Sequence, residues 1–288
     1  MRFRLGGLRG RALSELLNDR SAGDPLPVEL VAAFEAARDR MAPLGGRIVF
    51  FNTIGSTNDA ALALAADPDA EGTIVVADEQ TAGRGRHGRS WFSPLASGLY
   101  VSVVVQPKTA RVDSGQATRL LTLAAGVALA EAIEAATGLR ADIKWPNDLV
   151  VGSRKVAGIL AETARNDLAT IILGYGINVR SARYPSELGD RPTSVESELG
   201  RPVDRWALCA ETLAALSRRY EDLLSGNFDA ILDSWRSRAP ASRGARVTWS
   251  TATGPLSGVT EGIDEHGALL VRTGHGIDRI VGGEVAWG

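Results

Sequence analysis

A short run of glycines and arginines, TAGRGRHGRSW at residues 81–91, lies between two segments with strand patterns, TIVVADEQ and LYVSVVVQ. Its glycines Gly83, Gly85 and Gly88 have the G-x-G-x-x-G spacing of a dinucleotide-binding turn, but that turn must lead directly into a helix. Here a second strand follows, so the pattern predicts a strand–loop–strand connection and excludes a Rossmann dinucleotide site. A P-loop is also excluded, because G-x-x-x-x-G-K-[ST] does not occur in the sequence.

Strand and helix patterns alternate around this loop. The segments with strand patterns are RIVFFNTI, ADIKW, LVV, KVAGILAE and ATIILGYGINV, while GSTNDAALALAA and residues of about 115–137, 204–224 and 228–237 favour helices. We therefore expect an α/β (α+β) domain with a mixed sheet over residues 46–240. A leader at residues 1–45 precedes it and holds one short helix. The polar segment 181–203, rich in Pro, Arg and Ser, is expected to be a mobile loop.

The pattern changes after Pro240. Four short strand patterns follow at close spacing, RVTWS, GPLSGVTEGI, ALLVRTG and DRIVGGEVAWG. Such spacing is typical of a small all-β unit. We expect a β-barrel at residues 241–288.

Composition narrows the function classes. The formal net charge is −2, which gives no overall attraction to nucleic acid or to an acidic membrane. No apolar run approaches the ~20 residues that a membrane span needs, and the N-terminus has no apolar signal core, so we expect a cytoplasmic protein. Cys209 is the single cysteine, which rules out an internal disulfide, and its helical surroundings of Ala and Leu favour a packing role.

The chemistry of the loop favours an anionic ligand. Its many backbone N–H groups and the guanidinium groups of Arg84, Arg86 and Arg89 can converge on phosphate or carboxylate oxygens. The glycines allow such a loop to close over a ligand and open again. A solvated basic loop is the alternative, and the flanking Gln80 and Trp91 argue against it, because a tryptophan at the end of such a loop usually covers something.

Five motifs together resemble a known family. In their order and spacing, GSTN (55–58), EQTAGRGRHGRSW (79–91), KWPNDLV (144–150), KVAGIL (155–160) and GINV (176–179) resemble biotin protein ligases. The resemblance covers roughly residues 46–288. It implies a class II synthetase-like ligase domain, in which helices flank a mixed sheet, followed by a small SH3-like β-barrel. The related lipoate ligases share the fold but not the glycine–arginine loop.

The resemblance also implies a reaction in two steps. The carboxylate of biotin attacks the α-phosphate of ATP, with Mg²⁺ expected alongside ATP, and gives biotinyl-5′-AMP and pyrophosphate. A lysine of a biotin carboxyl carrier protein domain then attacks the mixed anhydride. No covalent intermediate with the enzyme is implied.

Site residues follow from the matched motifs only. For catalysis the resemblance implies Arg84, Arg86, Lys155 and Asp148; for biotin binding, Ser56, Thr57, Asn58, Gln80, Arg84, Gly85, Arg86 and Lys155; for ATP or adenylate, Arg86, Arg89, Trp91, Asn147 and Asn178. No metal ligand is assigned. Plain structural roles remain as alternatives: a helix cap for Ser56 and Thr57, a turn residue for Asp148 and a solvated ammonium for Lys155.

Some features depart from the family. No aromatic residue that stacks on adenine can be matched, and SARYPSELGDRPTSV agrees with the family's second, adenylate-covering loop only at Thr193, Ser194 and Val195. Longer family members carry an N-terminal helix-turn-helix. Because the leader holds one convincing helix, we expect a monofunctional ligase without specific DNA or membrane binding. Two alternatives stay open: a lipoyl or octanoyl transferase or ligase on the same fold, and a non-catalytic nucleic-acid-binding protein.

Overall fold

The computed structural model describes residues 23–164, 167–189, 191–251 and 254–288. Within them, a seven-stranded sheet forms the centre of the larger unit, with the strand order β1-β2-β3-β7-β6-β5-β4. Its strands are β1 (Arg47–Phe51), β2 (Thr73–Ala77), β3 (Gly98–Val105), β4 (Asp142–Lys144), β5 (Asp148–Val151), β6 (Arg154–Ala164) and β7 (Asp167–Asn178). Only β1 and β2 pair in parallel, and the other neighbours are antiparallel. The predicted mixed sheet is confirmed.

Six α-helices accompany the strands in the described residues. They are α1 (Val28–Ala37), α2 (Thr57–Leu64), α3 (Ser114–Thr137), α4 (Val195–Leu199), α5 (Arg205–Ser225) and α6 (Phe228–Arg238). Helix α3 begins where the Asp113 side chain accepts a hydrogen bond from the Gln116 N–H, and it ends at Gly138, which adopts the left-handed conformation. Asp204 caps α5 in the same way.

The sheet has a hydrophobic core on each face, because side chains alternate along a strand. Ile74 and Val76 point into the larger core with α1, α3, α5 and α6, whereas Val75 points into a smaller core with Ala61 of α2. Helix α3 is long and apolar enough to cross a membrane by length and composition alone, yet 72% of its most apolar window is buried within the protein. That burial is what a core helix of a folded domain shows.

The segment that precedes β1 joins the larger core. Helix α1 buries Leu30, Phe34 and Ala37, the three residues predicted to share a face. Met41 and Leu44 continue the same contact with the core. A short helix thus lies in the described part of the predicted leader, while residues 1–22 of that leader lie outside the described residues.

The C-terminal residues form a five-stranded antiparallel sheet of order β11-β10-β9-β8-β12. Its strands are β8 (Arg243–Thr251), β9 (Gly254–Ile263), β10 (Leu269–Thr273), β11 (Gly276–Ile280) and β12 (Val285–Trp287), and they agree with the predicted small β-unit. The segment 181–203 differs from the expectation, because it contains helix α4, which Ser194 caps and Gly200 ends. The Ser194 side chain accepts from the Ser197 N–H, so a local capping signal was present in the sequence.

Candidate functional site

A narrow cleft of about 50 Å³ lies where the glycine–arginine loop crosses β6 and β7 and the start of α2. Residues of all five sequence motifs line it or lie beside it. The lining includes Ser56, Thr57, Asn58, Gln80, Arg84, Gly85, Arg86, Trp91, Asn147 and Lys155, so most of the predicted site residues meet here. Arg89, Asp148 and Asn178 are outside the lining.

The loop itself is a small hairpin. The Trp91 N–H donates to Gly83 O at 2.8 Å, and the Gly85 N–H donates to Arg89 O at 2.7 Å. His87 and Gly88 form the tip, and both have positive φ values, 55° and 73°. Two consecutive left-handed residues give the turn that best fits the twist of a tight hairpin. The hairpin carries two arginines before its tip, Arg84 and Arg86, and both line the cleft but bind different partners.

We call Thr57, Asn58, Gln80, Ser102 and Glu162 the polar floor of the cleft. Gln80 Oε1 accepts hydrogen bonds from the Thr57 N–H (2.8 Å) and from the Thr57 hydroxyl (3.1 Å). Ser102 Oγ lies 2.8 Å from Thr57 Oγ1 and 2.6 Å from Asn58 Oδ1. The other end of the Asn58 amide donates from Nδ2 to Glu162 Oε2 at 2.8 Å. The floor is therefore one connected set of hydrogen bonds.

Ser56 occupies the predicted helix-cap position, but its side chain does not act as a cap. Ser56 is the N-cap of α2 and is buried, but its side chain makes no capping hydrogen bond. Gln80 satisfies a free N–H of this helix instead, through its contact with Thr57. The Gln80 amide nitrogen donates in turn to Ser93 Oγ at 2.8 Å, which fixes which way the amide faces.

Arg84 is bound to carboxylates of the protein. Its guanidinium forms ion pairs with Asp59 at 2.6 Å and with Glu162. The hydrogen bond to Glu162 raises the pKa of Arg84, and it outweighs the opposing effect of burial. The predicted contact of Arg84 with a substrate anion stays a prediction, and it would require the anion to approach two carboxylates.

Arg86 and Lys155 form what we call the cationic rim. Among the described residues, Arg86 hydrogen-bonds neutral oxygens, Asn147 Oδ1 at 2.8 Å and Gly283 O at 3.3 Å. Burial lowers the pKa of Arg86, because desolvation disfavours its charge more than the nearby Asp148 and Glu284 carboxylates favour it. In the part of the chain that the structure describes, Arg86 therefore lines the cleft without an ion pair to a carboxylate.

Lys155 is held in place by Asp148 and Trp91. Its Nζ lies 2.7 Å from Asp148 Oδ1 and 5.2 Å from the centre of the Trp91 ring. This is the geometry expected of a carboxylate that orients a lysine. Asp148 and Lys155 are neighbours because β5 and β6 pair as an antiparallel hairpin.

Trp91 covers two glycines of the sheet. A Cβ atom at Gly176 would lie 2.3 Å from the indole Nε1, and one at Gly158 would lie 3.0 Å from the ring. The indole Nε1 is buried and has no hydrogen-bond partner within the described parts of the chain. Most of the space above these glycines is therefore occupied by the indole, and the cleft is far below the ~300–1,000 Å³ of a usual small-molecule site. A ligand of ordinary size needs Trp91 to move.

Asn178 and Arg89 serve other contacts in this structure. The buried Asn178 donates from Nδ2 to Thr193 O at 2.9 Å, which ties the end of β7 to the segment before α4. Arg89 is exposed and forms an ion pair with Glu284 of the C-terminal sheet. The structure therefore does not bring either side chain into the cleft.

A second, larger cavity of about 370 Å³ lies between the larger unit and the C-terminal sheet. Arg86 and Asn147 line both spaces, so they separate the cleft from this cavity. Its other polar side chains are those of Arg119, Thr122, His266 and Arg279. The cavity is thus basic on several sides.

Sequence reasoning missed Glu162, Ser102 and Tyr184. Glu162 and Ser102 belong to strand patterns, where a polar residue on alternate positions is usually solvated, so nothing marked them as part of the floor. The Tyr184 ring packs edge-on against Phe92 at 6.0 Å between centroids, which joins the two loops beside the cleft.

Comparison with known proteins agrees with the motifs. The profile of the Biotin/lipoate A/B protein ligase family matches residues 50–178, and that of the Biotin protein ligase C terminal domain matches residues 244–288. The bifunctional ligase/repressor BirA of Bacillus spizizenii is 37% identical over 249 residues, which cover 85% of this chain and 75% of that protein. The biotin–[acetyl-CoA-carboxylase] ligase of Paracoccus denitrificans is 35% identical, over 81% of this chain and 97% of that protein.

A solved structure gives the same result in three dimensions. The biotin protein ligase of Aquifex aeolicus in complex with biotin and ATP superimposes with a TM-score of 0.72 and 31% sequence identity. The match covers 84% of this chain and 98% of that one. Sequence, fold and the order of both units therefore agree, and the chain belongs to the biotin protein ligase family.

Proposed function

We propose that this protein activates biotin with ATP as biotinyl-5′-AMP and transfers the biotinyl group to a lysine of a biotin carboxyl carrier protein. The observation that carries the proposal is Arg86, a half-buried guanidinium whose described hydrogen bonds go to neutral oxygens, at the rim of a cleft with a polar floor. We infer that the Arg86 guanidinium can therefore bind an anionic group of the substrate. Resident carboxylates near it already have their own cations, Lys155 for Asp148 and Arg89 for Glu284.

The first step brings two anions together. A carboxylate oxygen of biotin forms a bond to the α-phosphorus of ATP, and the bond from that phosphorus to the bridging oxygen breaks with departure of pyrophosphate. Repulsion between the anions dominates the barrier, so fixed positive charge and positioning are what a protein can contribute. We assign this work to Arg86 and Lys155, with Asp148 and the Trp91 face holding the Lys155 ammonium in place.

In the second step an amine replaces the nucleotide. The ε-amine of the acceptor lysine attacks the carbonyl carbon of the mixed anhydride, AMP leaves with the bonding electrons, and the amine loses a proton. The mixed anhydride must be protected from water until the acceptor arrives. The hairpin with Trp91 at its base is placed to cover it, and we assign Asn147 to the adenylate because it holds Arg86.

A magnesium ion would come with ATP. Mg²⁺ in such sites takes one or two carboxylates from the protein and the remaining oxygens from phosphates and water. Asp148 fits this requirement, because its ion pair with Lys155 places a carboxylate at the rim, where we expect the phosphates of ATP. In the described residues, no group of three or more His, Cys, Asp or Glu side chains could hold a metal alone. When bound, Mg²⁺ would neutralise phosphate charge.

Under the same proposal, the two structural units have different roles. We assign residues 46–240 to binding and activation, together with the buried part of the leader, and residues 241–288 to a β-domain that supports the rim. Gly283 O accepts from Arg86, and Glu284 pairs with Arg89, so the C-terminal sheet touches the loop directly. We expect the reaction in the cytoplasm.

Two measurements test the proposed function. Biotin should cause exchange of labelled pyrophosphate into ATP, and biotin with ATP should raise the Tm of the protein. Lipoate with ATP and a single-stranded oligonucleotide serve as the alternative ligands. Exchange that depends on lipoate and not on biotin would favour the lipoyl alternative, and a Tm increase with the oligonucleotide alone would favour a nucleic-acid-binding protein.

A further inference from the structure

Glu162 occupies a node between three elements of the cleft. It lies on β6 and shares a face with Gly158 and Leu160, which line the cleft, because strand positions two apart point the same way. A single oxygen, Oε2, accepts from the Asn58 amide on α2 and from the Arg84 guanidinium of the hairpin. One carboxylate therefore links the sheet, the helix and the loop.

The charges at this node favour an anchor over an anion site. Arg84 contributes one positive charge, and Asp59 and Glu162 contribute two negative charges at ion-pair distance. An incoming carboxylate or phosphate would therefore meet a net negative group. Glu162 is only about one third exposed, so this interaction is less screened by solvent than the contact of Arg84 with Asp59, whose side chain is 54% exposed.

The same oxygen fixes the orientation of Asn58. Since a carboxylate can only accept, the Asn58 amide must turn its Nδ2 to Glu162 and its Oδ1 to Ser102. Asn58 also lies directly on the sheet, where a Cβ atom at Gly174 would be 2.0 Å from its Oδ1. With little room and two fixed partners, the amide has one arrangement, and the bonds continue through Ser102 and Thr57 to Gln80.

We propose that Glu162 is a positioning residue that acts through Arg84 and Asn58, and that Arg84 anchors the base of the hairpin instead of binding the substrate charge. The proposal rests on the proposed function, because it concerns the site for biotin. It separates two tasks within GRGR: Arg84 fixes the loop to the sheet, and Arg86 supplies charge to the reaction. It also predicts that Glu162 affects binding of biotin more than the rate of activation.

The test is a double-mutant cycle with Glu162→Gln, Arg84→Gln and the double variant. Glu162→Gln keeps the size and removes the charge. We expect each single variant to raise the KM for biotin about tenfold or more, in line with the loss of a charge-assisted hydrogen bond, while kcat and the KM for ATP change little. The double variant should resemble the single variants, since residues that act as a unit are not additive.

Asp59→Asn is the matched control. It removes the other carboxylate partner of Arg84 but leaves the Asn58 contact intact, and exposed ion pairs contribute little. We expect a change in KM for biotin of about twofold or less. A kcat loss of about 100-fold in Arg84→Gln with near-normal Glu162→Gln, or a double variant whose loss is the product of the single losses, would overturn the proposal.

A second measurement does not depend on catalysis. Hydrogen exchange of the amides of residues 83–91 should be faster in ligand-free Glu162→Gln than in the wild-type protein, with an unchanged rate in Asp59→Asn. Equal exchange in all three proteins would refute the anchor even if the enzyme is active. The proposed function is tested separately. If the wild-type protein shows no biotin-dependent incorporation of labelled pyrophosphate into ATP, the proposed function is refuted, and the hydrogen-exchange result still tests the anchor.

Discussion

Arg84 and Arg86 are two residues apart in the chain, and the protein treats their charges in opposite ways. Hydrogen bonding to Glu162 raises the pKa of Arg84, whereas burial lowers the pKa of Arg86. Around Arg84, two carboxylates outnumber one cation, while around Arg86 three cations, including Lys155 and Arg89, outnumber the carboxylates of Asp148 and Glu284. The polar floor is thus neutralised by groups of the protein, whereas under the proposed function the cationic rim receives the anion of the substrate.

The difference explains how a loop can hold three glycines and three arginines without acting as a uniform basic patch. The floor end gains its order from hydrogen bonds within the protein. The rim end keeps a charge in a partly desolvated place, where electrostatic interactions are stronger than in water. If both proposals hold, one arginine of this short loop anchors the hairpin and another takes part in the reaction.

The largest effect should come from removing the charges of the rim. Arg86→Ala and Lys155→Gln should each lower biotin-dependent pyrophosphate exchange by about 100-fold or more, by analogy with the loss of one donor to a developing anion. Lys155→Arg should restore little, since a planar guanidinium does not replace a compact ammonium between Asp148 and Trp91. Circular dichroism should show an intact fold. Wild-type exchange in both variants would remove the distinction between rim and floor.

Part of the fold and of the candidate site could be predicted from the sequence. The motifs led to Thr57, Gln80, Arg86 and Lys155, since the chemistry of an acyl adenylate requires polar groups and cations, and the structure brings all four to one cleft. The alternation of apolar residues likewise led to both sheets and the long helix. These are properties of local pattern and of residue type.

Pairing across the fold could not be predicted in the same way. Arg84 looks equivalent to Arg86 in the sequence, and its partners lie 25 and 78 residues away, so only the folded chain shows which charge is neutralised. Glu162 gives no signal in a strand that also carries exposed positions. Helix α4 had a cap in Ser194, but at five residues it was too short for a periodic pattern.

A substitution at Gly174 should disturb the polar floor and leave the cationic rim unchanged. At Gly174→Ala the new methyl group would lie 2.0 Å from Asn58 Oδ1, so Asn58 or the strand must shift. We expect a loss of about 1–3 kcal/mol in the free energy of unfolding, the usual cost of overpacking, and a raised KM for biotin. Urea denaturation measures the first and steady-state kinetics the second.

Gly274→Ala is a suitable control, since a Cβ atom there would meet nothing within 4 Å. It should leave both quantities nearly unchanged. A tolerant Gly174 together with a normal KM would mean that Asn58 does not need its close approach to the sheet.

Ligand binding should distinguish the two ends of the hairpin. With biotinyl-5′-AMP bound, the amides of residues 85–89 should exchange at least about tenfold more slowly, because the rim gains an anion and the loop orders over it. The amides at the floor end should change less, since their anchor exists without ligand. Hydrogen exchange read by mass spectrometry resolves the two ends. Equal protection of both ends would contradict the division, and unchanged protection throughout would contradict a closing loop.

The smallest effect should come from the ring contact that joins the hairpin to the segment before α4. Burial raises the pKa of Tyr184 to about 12, and its hydroxyl donates a long hydrogen bond, 3.4 Å, to Thr193 O. A tyrosine whose pKa is higher in the folded than in the unfolded protein stabilises the fold fully below about pH 10 and progressively less between pH 10 and 12. Tyr184→Phe keeps the ring on Phe92 and removes this ionisation.

We therefore expect Tyr184→Phe to be as stable as the wild type within about 0.5 kcal/mol at pH 8, because a long hydrogen bond contributes little. Near pH 11 the variant should be the more stable by about 1 kcal/mol, since only the wild-type unfolded state gains by ionising this phenol. Burial raises the pKa values of Tyr100, Tyr175 and Tyr220 in the same way in both proteins, so the difference between the two pH–stability curves isolates Tyr184. Parallel curves would mean that the Tyr184 ring is solvated and that it does not pack against Phe92 beside the hairpin.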